Sequence, residues 1–173
     1  MTTTTEKMAG PEHQIVLPQE EDTMKDMYLT FRLGDEDYGI EIRYVTEIVG
    51  IQRITEVPDM PHFIKGVVNL RGQVIPVMDV RLRFSMDVRD YDERTCVVVV
   101  NLRDSLIGLV VDTVNEVRTI PEDNVSPPPK VASTESTRYI HGMGKVGDEV
   151  KILLDVSRLL FEDELEELGV PTS

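Results

Sequence analysis

Two blocks of this chain recur without gaps. Residues 27–49 align with 96–118 at an offset of 69, where Leu29, Phe31, Gly39, Val45 and Glu47 meet Val98, Val100, Gly108, Val114 and Glu116. Residues 63–79 align with 139–155 at an offset of 76, where Phe63, Gly66, Val74, Val77 and Asp79 meet Tyr139, Gly142, Val150, Leu153 and Asp155. The seven extra residues fall between the blocks, in a loop that contains Pro127-Pro128-Pro129. Added loop length carries little entropic cost, so both copies can keep the same plan. Glycine, charge and aromatic positions coincide, which requires one supersecondary unit to be built twice.

The unit itself is β-rich. Tyr28, Leu29, Phe31 and Leu33 lead into Gly34-Asp35, and Tyr38, Ile40 and Ile42 follow, which is the alternation of a hairpin. In RYVTEI (43–48) the spacing of Ile42, Val45, Ile48 and Val49 predicts a helix of one or two turns. The prolines of VPDMP (57–61) then break the chain. A second hairpin spans 63–79 and turns at Arg71-Gly72, and DVRLRF (79–84) reads as a short helix capped by Asp79. Many strands with closely spaced turns, present twice, predict an all-β fold of two small antiparallel barrels. The boundaries follow. Residues 1–26 form an acidic, solvated tail with six acids against two lysines, and 27–168 form the ordered region. Within it the two barrels are expected to be intertwined, one built mainly from about 27–90 and the other mainly from about 91–156. A C-terminal helix over 156–168, SRLLFEDELEEL capped by Asp155, precedes a tail at 169–173.

With 173 residues and 40% hydrophobic composition, such a chain buries a sizeable core. A net charge of −14 argues against nucleic acid and anionic lipid as main partners. Neither a signal peptide nor an apolar run long enough to span a membrane is present, so a cytoplasmic location without membrane insertion is expected.

The chemical motifs favour bland readings. GMGKVG (142–147) fits the dinucleotide fingerprint letter by letter, but a strand-like DEVKILLD follows where that fingerprint needs a helix. Asp79 and Asp155 occupy equivalent positions, and each is explained as a helix N-cap rather than as half of an acid–base pair. His13, His62 and His141 share no metal-ligand spacing, and Cys96 lies in the apolar run TCVVVV as a core thiol. No catalytic residue, metal or cofactor is expected. The unusual residue is Arg71. At offset 76 the second copy has Gly147 in its place, so the hairpin closes without a guanidinium. An arginine fixed at a rigid turn is a contact candidate.

Three stretches resemble the CheW coupling proteins of bacterial chemotaxis: TFRLGDEDYGIEIRYVTEI (30–48), VPDMPHFIKGVVNLRGQVIPVMDVRLRF (57–84) and YIHGMGKVGDEVKILLDVSRLL (139–160). The likeness spans about residues 27–168, and its middle block is the specific one. It implies two SH3-like five-stranded barrels and no catalytic activity. It also implies an adaptor that bridges the cytoplasmic tip of methyl-accepting chemoreceptors to the histidine kinase CheA, through the kinase's regulatory domain, and helps build receptor arrays. Receptor-contact positions carry over as Val45 and Glu47 on the short helix and Asn69 and Arg71 at the hairpin. Gly66 carries over with an indirect role, since glycine lets strands approach closely. The kinase would meet apolar barrel edges that no motif marks. No kinase or receiver motif appears, so a stand-alone adaptor is expected. Coupling in another chemosensory pathway, such as pilus motility, would use the same surfaces, and a small-molecule-binding barrel is the rival of another class.

Overall fold

A computed structural model of the chain describes residues 5–7, 17, 24–128 and 136–160. The first half contributes β2 (Met27–Leu33), β3 (Glu36–Glu41), β4 (Val45–Gly50), β5 (Ile64–Leu70), β6 (Gln73–Asp79) and α1 (Val80–Arg83), preceded by a short β1 (Thr5–Lys7). The second half contributes β7 (Cys96–Leu102), β8 (Ser105–Val111), β9 (Thr113–Thr119), β10 (Val125–Ser126), β11 (Ile140–Val146), β12 (Glu149–Leu154) and α2 (Val156–Leu160). The repeat is exact at element level in two places: β2 and β7 coincide at offset 69, and β5 and β11 at offset 76. The expected end of the C-terminal helix beyond Leu160, Pro129 and most of the 1–26 tail lie outside the described residues.

The strands form two sheets. One runs β4-β7-β8-β6-β5, the other β1-β9-β2-β3-β12-β11-β10. The all-β reading therefore holds. The second sheet contains the same five-strand set as the first, flanked by β1 and β10. Each half lends its opening hairpin to the other: β7–β8 lies among β4, β5 and β6, while β2–β3 lies among β9, β11 and β12. The joints are parallel pairings at matching repeat positions, Val77↔Gly108 and Leu153↔Gly39.

This exchange explains the valine run. In a sheet with one wet face the side chains alternate, but all five leading residues of β7 are buried. Val98 and Val100 enter the large core shared with β2, β3 and both helices, whereas Val97 and Val99 enter a smaller cluster with Val68, Leu70, Ile75 and Val77. A strand with a core on each side has no polar face.

At the centre of the large core Arg83 is 4% exposed. Its guanidinium lies 4.3 Å from the ring centroid of Phe63 and 4.8 Å from that of Tyr139, which are repeat mates from the two halves. Guanidinium is weakly hydrated and planar, which suits it to this sandwich, and a desolvated cation–π contact contributes about 2 kcal/mol. Tyr139 also stacks on Phe84 at 5.7 Å.

The helix predicted over 43–48 is corrected. Ile42–Tyr44 makes one 3-10 turn, closed by Val45 N–H donating to the Ile42 carbonyl, and β4 begins at once. The three-residue spacing of Ile42 and Val45 fits that turn. The β-branched residues that follow find an antiparallel partner in β7, and that ladder wins over helical propensity.

Two partly buried ion pairs tie α1 and the sheets together. Arg81 grips both oxygens of Asp112 at 2.8 Å, and Gly34 N–H donates to the same carboxylate at 2.8 Å. Lys151 reaches Asp37 at 2.7 Å and Glu149 at 2.8 Å. Burial works to raise the pKa of Asp112 and Asp37. Hydrogen bonds from Arg81 and Gly34 to the first, and from Lys151 and Arg32 to the second, outweigh it and hold both below the usual carboxylate range. A depressed folded-state pKa stabilises fully above the unfolded value of about 4, and that stabilisation is lost as pH falls through the folded value. Urea unfolding across pH is therefore expected to give a flat profile above about pH 5 and a decline below about pH 4. Asp112→Asn is expected to be less stable at pH 7 with a shallower acid decline; an unchanged acid limb would show that Asp112 contributes nothing to it.

Candidate functional site

The β5–β6 hairpin closes through two residues with positive φ, Arg71 at 51° and Gly72 at 88°. This is the geometry that matches the twist of the flanking strands, and it is the one that Asn-Gly pairs favour. Arg71 has a Cβ, so holding it left-handed costs roughly 1 kcal/mol. Gly147 occupies the equivalent turn at φ 61° without that cost. Asn69 fastens the turn from within, its Oδ1 accepting the Gly72 N–H at 2.8 Å. The Arg71 side chain consequently projects from a stiff backbone and is 71% exposed.

Arg71 Nη2 pairs with Glu47 Oε2 on β4. In the sheet order β4 and β5 stand at opposite ends, so this pair joins the two edges of a curled sheet. The Thr55–Val67 bridge, with hydrogen bonds of 2.8 and 2.9 Å, ties incoming chain to β5 further along. An exposed pair of this kind is worth about 0–1 kcal/mol, so its main effect is to fix where the two charges sit. The structure thus brings Glu47, Asn69 and Arg71 together. Val45 and Glu47 lie on β4 rather than on a helix. Val45 pairs with Val100, the register shifts before Glu47, and Val45 is half-buried against the large core.

Gly66 is buried, apart from these exposed side chains. It has φ 147°, and an added Cβ would lie 2.1 Å from the Thr55 carbonyl oxygen. Its repeat mate Gly142 is also crowded, though less so, by Val125 Cγ1 at 2.7 Å and the Ser126 carbonyl oxygen at 2.9 Å. Both positions carry a register shift. Gly66 is required for the edge crossing that places the hairpin.

The second copy of the site is altered in three ways. Glu116, the mate of Glu47, pairs with its neighbour Arg118 at 2.6 Å. Gly147 offers no side chain. The outer edge of β9 carries β1, with Glu6 opposite Val117 and Lys7 opposite Glu116. Sequence reasoning missed the Glu47–Arg71 pairing, although one signal was present: glutamate recurs in both copies while its arginine partner occurs in one.

The remaining candidates take structural roles. Asp79 Oδ1 accepts the Arg81 N–H at 3.0 Å and its Oδ2 accepts the Tyr91 hydroxyl at 2.6 Å; burial and that bond push the Tyr91 pKa up. Asp155 Oδ1 accepts the Arg158 N–H at 3.1 Å. Residues 142–146 of the glycine fingerprint lie in β11 and Gly147 in its turn. The Cys96 thiol is buried and its pKa raised by that burial. His62 contacts the Leu82 carbonyl, His141 is exposed, and His13 lies outside the described residues. Among the described residues no group of three His, Cys, Asp or Glu could hold a metal, and no helix is long and apolar enough to cross a membrane.

An all-β body of two interlocked sheets, with an exposed charge held at a stiff hairpin tip, defines a protein built to present a surface. The chain belongs to the CheW-like domain family, whose model matches residues 27–164. It is 40% identical over 144 residues to the chemotaxis protein CheW of Klebsiella aerogenes, covering 83% of this chain and 87% of that protein. It is 34% identical over 145 residues to CheW of Treponema pallidum, covering 82% and 85%. It is 31% identical over 134 residues to the protein FrzA of Myxococcus xanthus, covering 77% and 84%. The crystal structure of the scaffolding protein TtCheW from Thermoanaerobacter tengcongensis superposes with a TM-score of 0.74 at 34% identity, covering 80% of this chain and 94% of that one.

Two substitutions separate backbone from side-chain roles. Gly66→Ala is expected to destabilise by about 2–4 kcal/mol in urea unfolding, since the Thr55 carbonyl must move and φ is unfavourable. Arg71→Gly is expected to stay within about 1 kcal/mol of the parent, because relief of the left-handed strain offsets the lost ion pair. A large loss in the second variant would make the guanidinium a fold determinant.

Proposed function

We propose that the chain is a non-catalytic cytoplasmic adaptor of bacterial chemotaxis. It couples the cytoplasmic tip of methyl-accepting chemoreceptors to the regulatory domain of the histidine kinase CheA and helps to assemble their arrays. The observation that carries the reading is Arg71: a side chain 71% exposed, carried by a turn that favours glycine and paired with Glu47 across the sheet edges. A receptor tip made of helices offers carboxylates and terminal carbonyls, which the planar fork of arginine can engage in pairs. Val45 supplies apolar contact beside it, Asn69 holds the turn, and Gly66 sets the hairpin's position. Kinase contacts are assigned to apolar sheet edges without naming residues. The similarity to FrzA supports a second reading, coupling in a different chemosensory pathway through the same edge.

Arg71→Glu is expected to weaken binding of a receptor-tip fragment about tenfold or more, with CheA regulatory-domain affinity unchanged. Repulsion from Glu47 should lower Tm by no more than about 2–4 °C, the shift given by about 1 kcal/mol in a chain of this size. The double exchange Glu47→Arg, Arg71→Glu restores an ion pair, and is expected to recover Tm while receptor binding stays weak. Receptor affinity equal to the parent in Arg71→Glu would refute the contact assignment.

A further inference from the structure

Where the β2–β3 turn, α1 and the segment before β7 meet, four arginines line one cavity of about 280 Å³: Arg32, Arg81, Arg89 and Arg94. They are four of the 18 basic residues in a chain of net charge −14, and Asp35 and Asp112 line the same cavity. Their states differ. Arg81 is engaged by Asp112, and that carboxylate in turn is occupied by the Arg81 fork and the Gly34 N–H, each at 2.8 Å. This pair is a rigid, neutralised floor.

Three guanidiniums retain donors above it. Arg32 engages Asp37 through Nε at 3.0 Å, which leaves its terminal nitrogens available. Arg89 divides itself between Asp92 at 3.2 Å and Asp112 at 3.7 Å. Arg94 forms no ion pair among the described residues. They line the cavity from two separate parts of the chain, β2 and the 85–95 segment. The space is below the roughly 300–1,000 Å³ of cofactor pockets, but ample for one tetrahedral oxyanion.

We propose that this cavity is an oxyanion site that takes a phosphate group. A carboxylate presents two oxygens in one plane, whereas a phosphate near −2 presents three and satisfies forks from several directions. Asp35 also lines the cavity, is exposed and limits affinity by repulsion. The phosphate comes either free or on a phosphorylated side chain, and both present the same oxygens.

The test uses the full chain at neutral pH and fixed ionic strength. Inorganic phosphate, a phosphoserine peptide and sodium chloride are titrated separately, with calorimetry and Tm as readouts. Phosphate or the phosphopeptide is expected to bind and raise Tm where chloride does not, and the tighter of the two identifies the source. Arg94→Gln and Arg32→Gln each are expected to weaken that binding about tenfold, and Asp35→Asn to strengthen it. All three positions are exposed, so the variants fold. Equal Tm responses to phosphate, phosphopeptide and chloride, or affinities unmoved by both arginine variants, would overturn the site. No receptor or kinase enters the assay, so its outcome is independent of the adaptor reading.

Discussion

Neither half of this chain completes a sheet by itself. Each gives its first hairpin to the other, through the parallel pairings Val77↔Gly108 and Leu153↔Gly39, and the large core forms only where the exchanged strands overlap. Arg83 marks that overlap, with one face on Phe63 from the first half and the other on Tyr139 from the second. The two rings offset part of the cost of desolvating that charge. The halves therefore fold as one cooperative unit, and a rigid body results from a chain that contains little helix.

That rigidity reaches the surface at the β4 edge. Interlocking places β4 beside β7, an inner strand buried on both faces, while the Thr55–Val67 bridge and Gly66 fix the other edge. The hairpin tip is then a projecting point whose position the core determines. Arg71 exists on that point against a backbone preference for glycine, and its pairing with Glu47 sets its direction more than it adds stability.

Much of this was legible in the sequence, and for a physical reason: local patterns report local structure. The duplication, the four hairpins, the Asp79 and Asp155 caps and the odd status of Arg71 all follow from spacing or from comparison of one copy with the other. The β4 segment did not, because Ile42 and Val45 satisfy a 3-10 turn as well as a helix, and only the β7 ladder decides between them. Which strands the intertwined barrels exchange was hidden too. Strands lent across the repeat have the same alternation as strands kept at home, and the valine run of β7 shows only that both its faces are covered. The arginine cavity draws on residues from 32 to 94, a proximity no spacing encodes.

Duplication creates a problem of its own, since two equivalent edges would recruit the same partner twice. Discrimination requires that one edge lose its attraction or gain an obstacle. Here the second edge has both changes: glycine replaces the arginine, and Glu116 is neutralised by Arg118 next to it. In addition β1 pairs along β9, occupying backbone groups that an unpaired edge would offer to any extended segment. The first edge keeps its charge pair, and among the described residues no strand is added beyond β4. The two copies of the unit thereby present different edges, with the difference confined to a turn residue, one ion pair and one short strand.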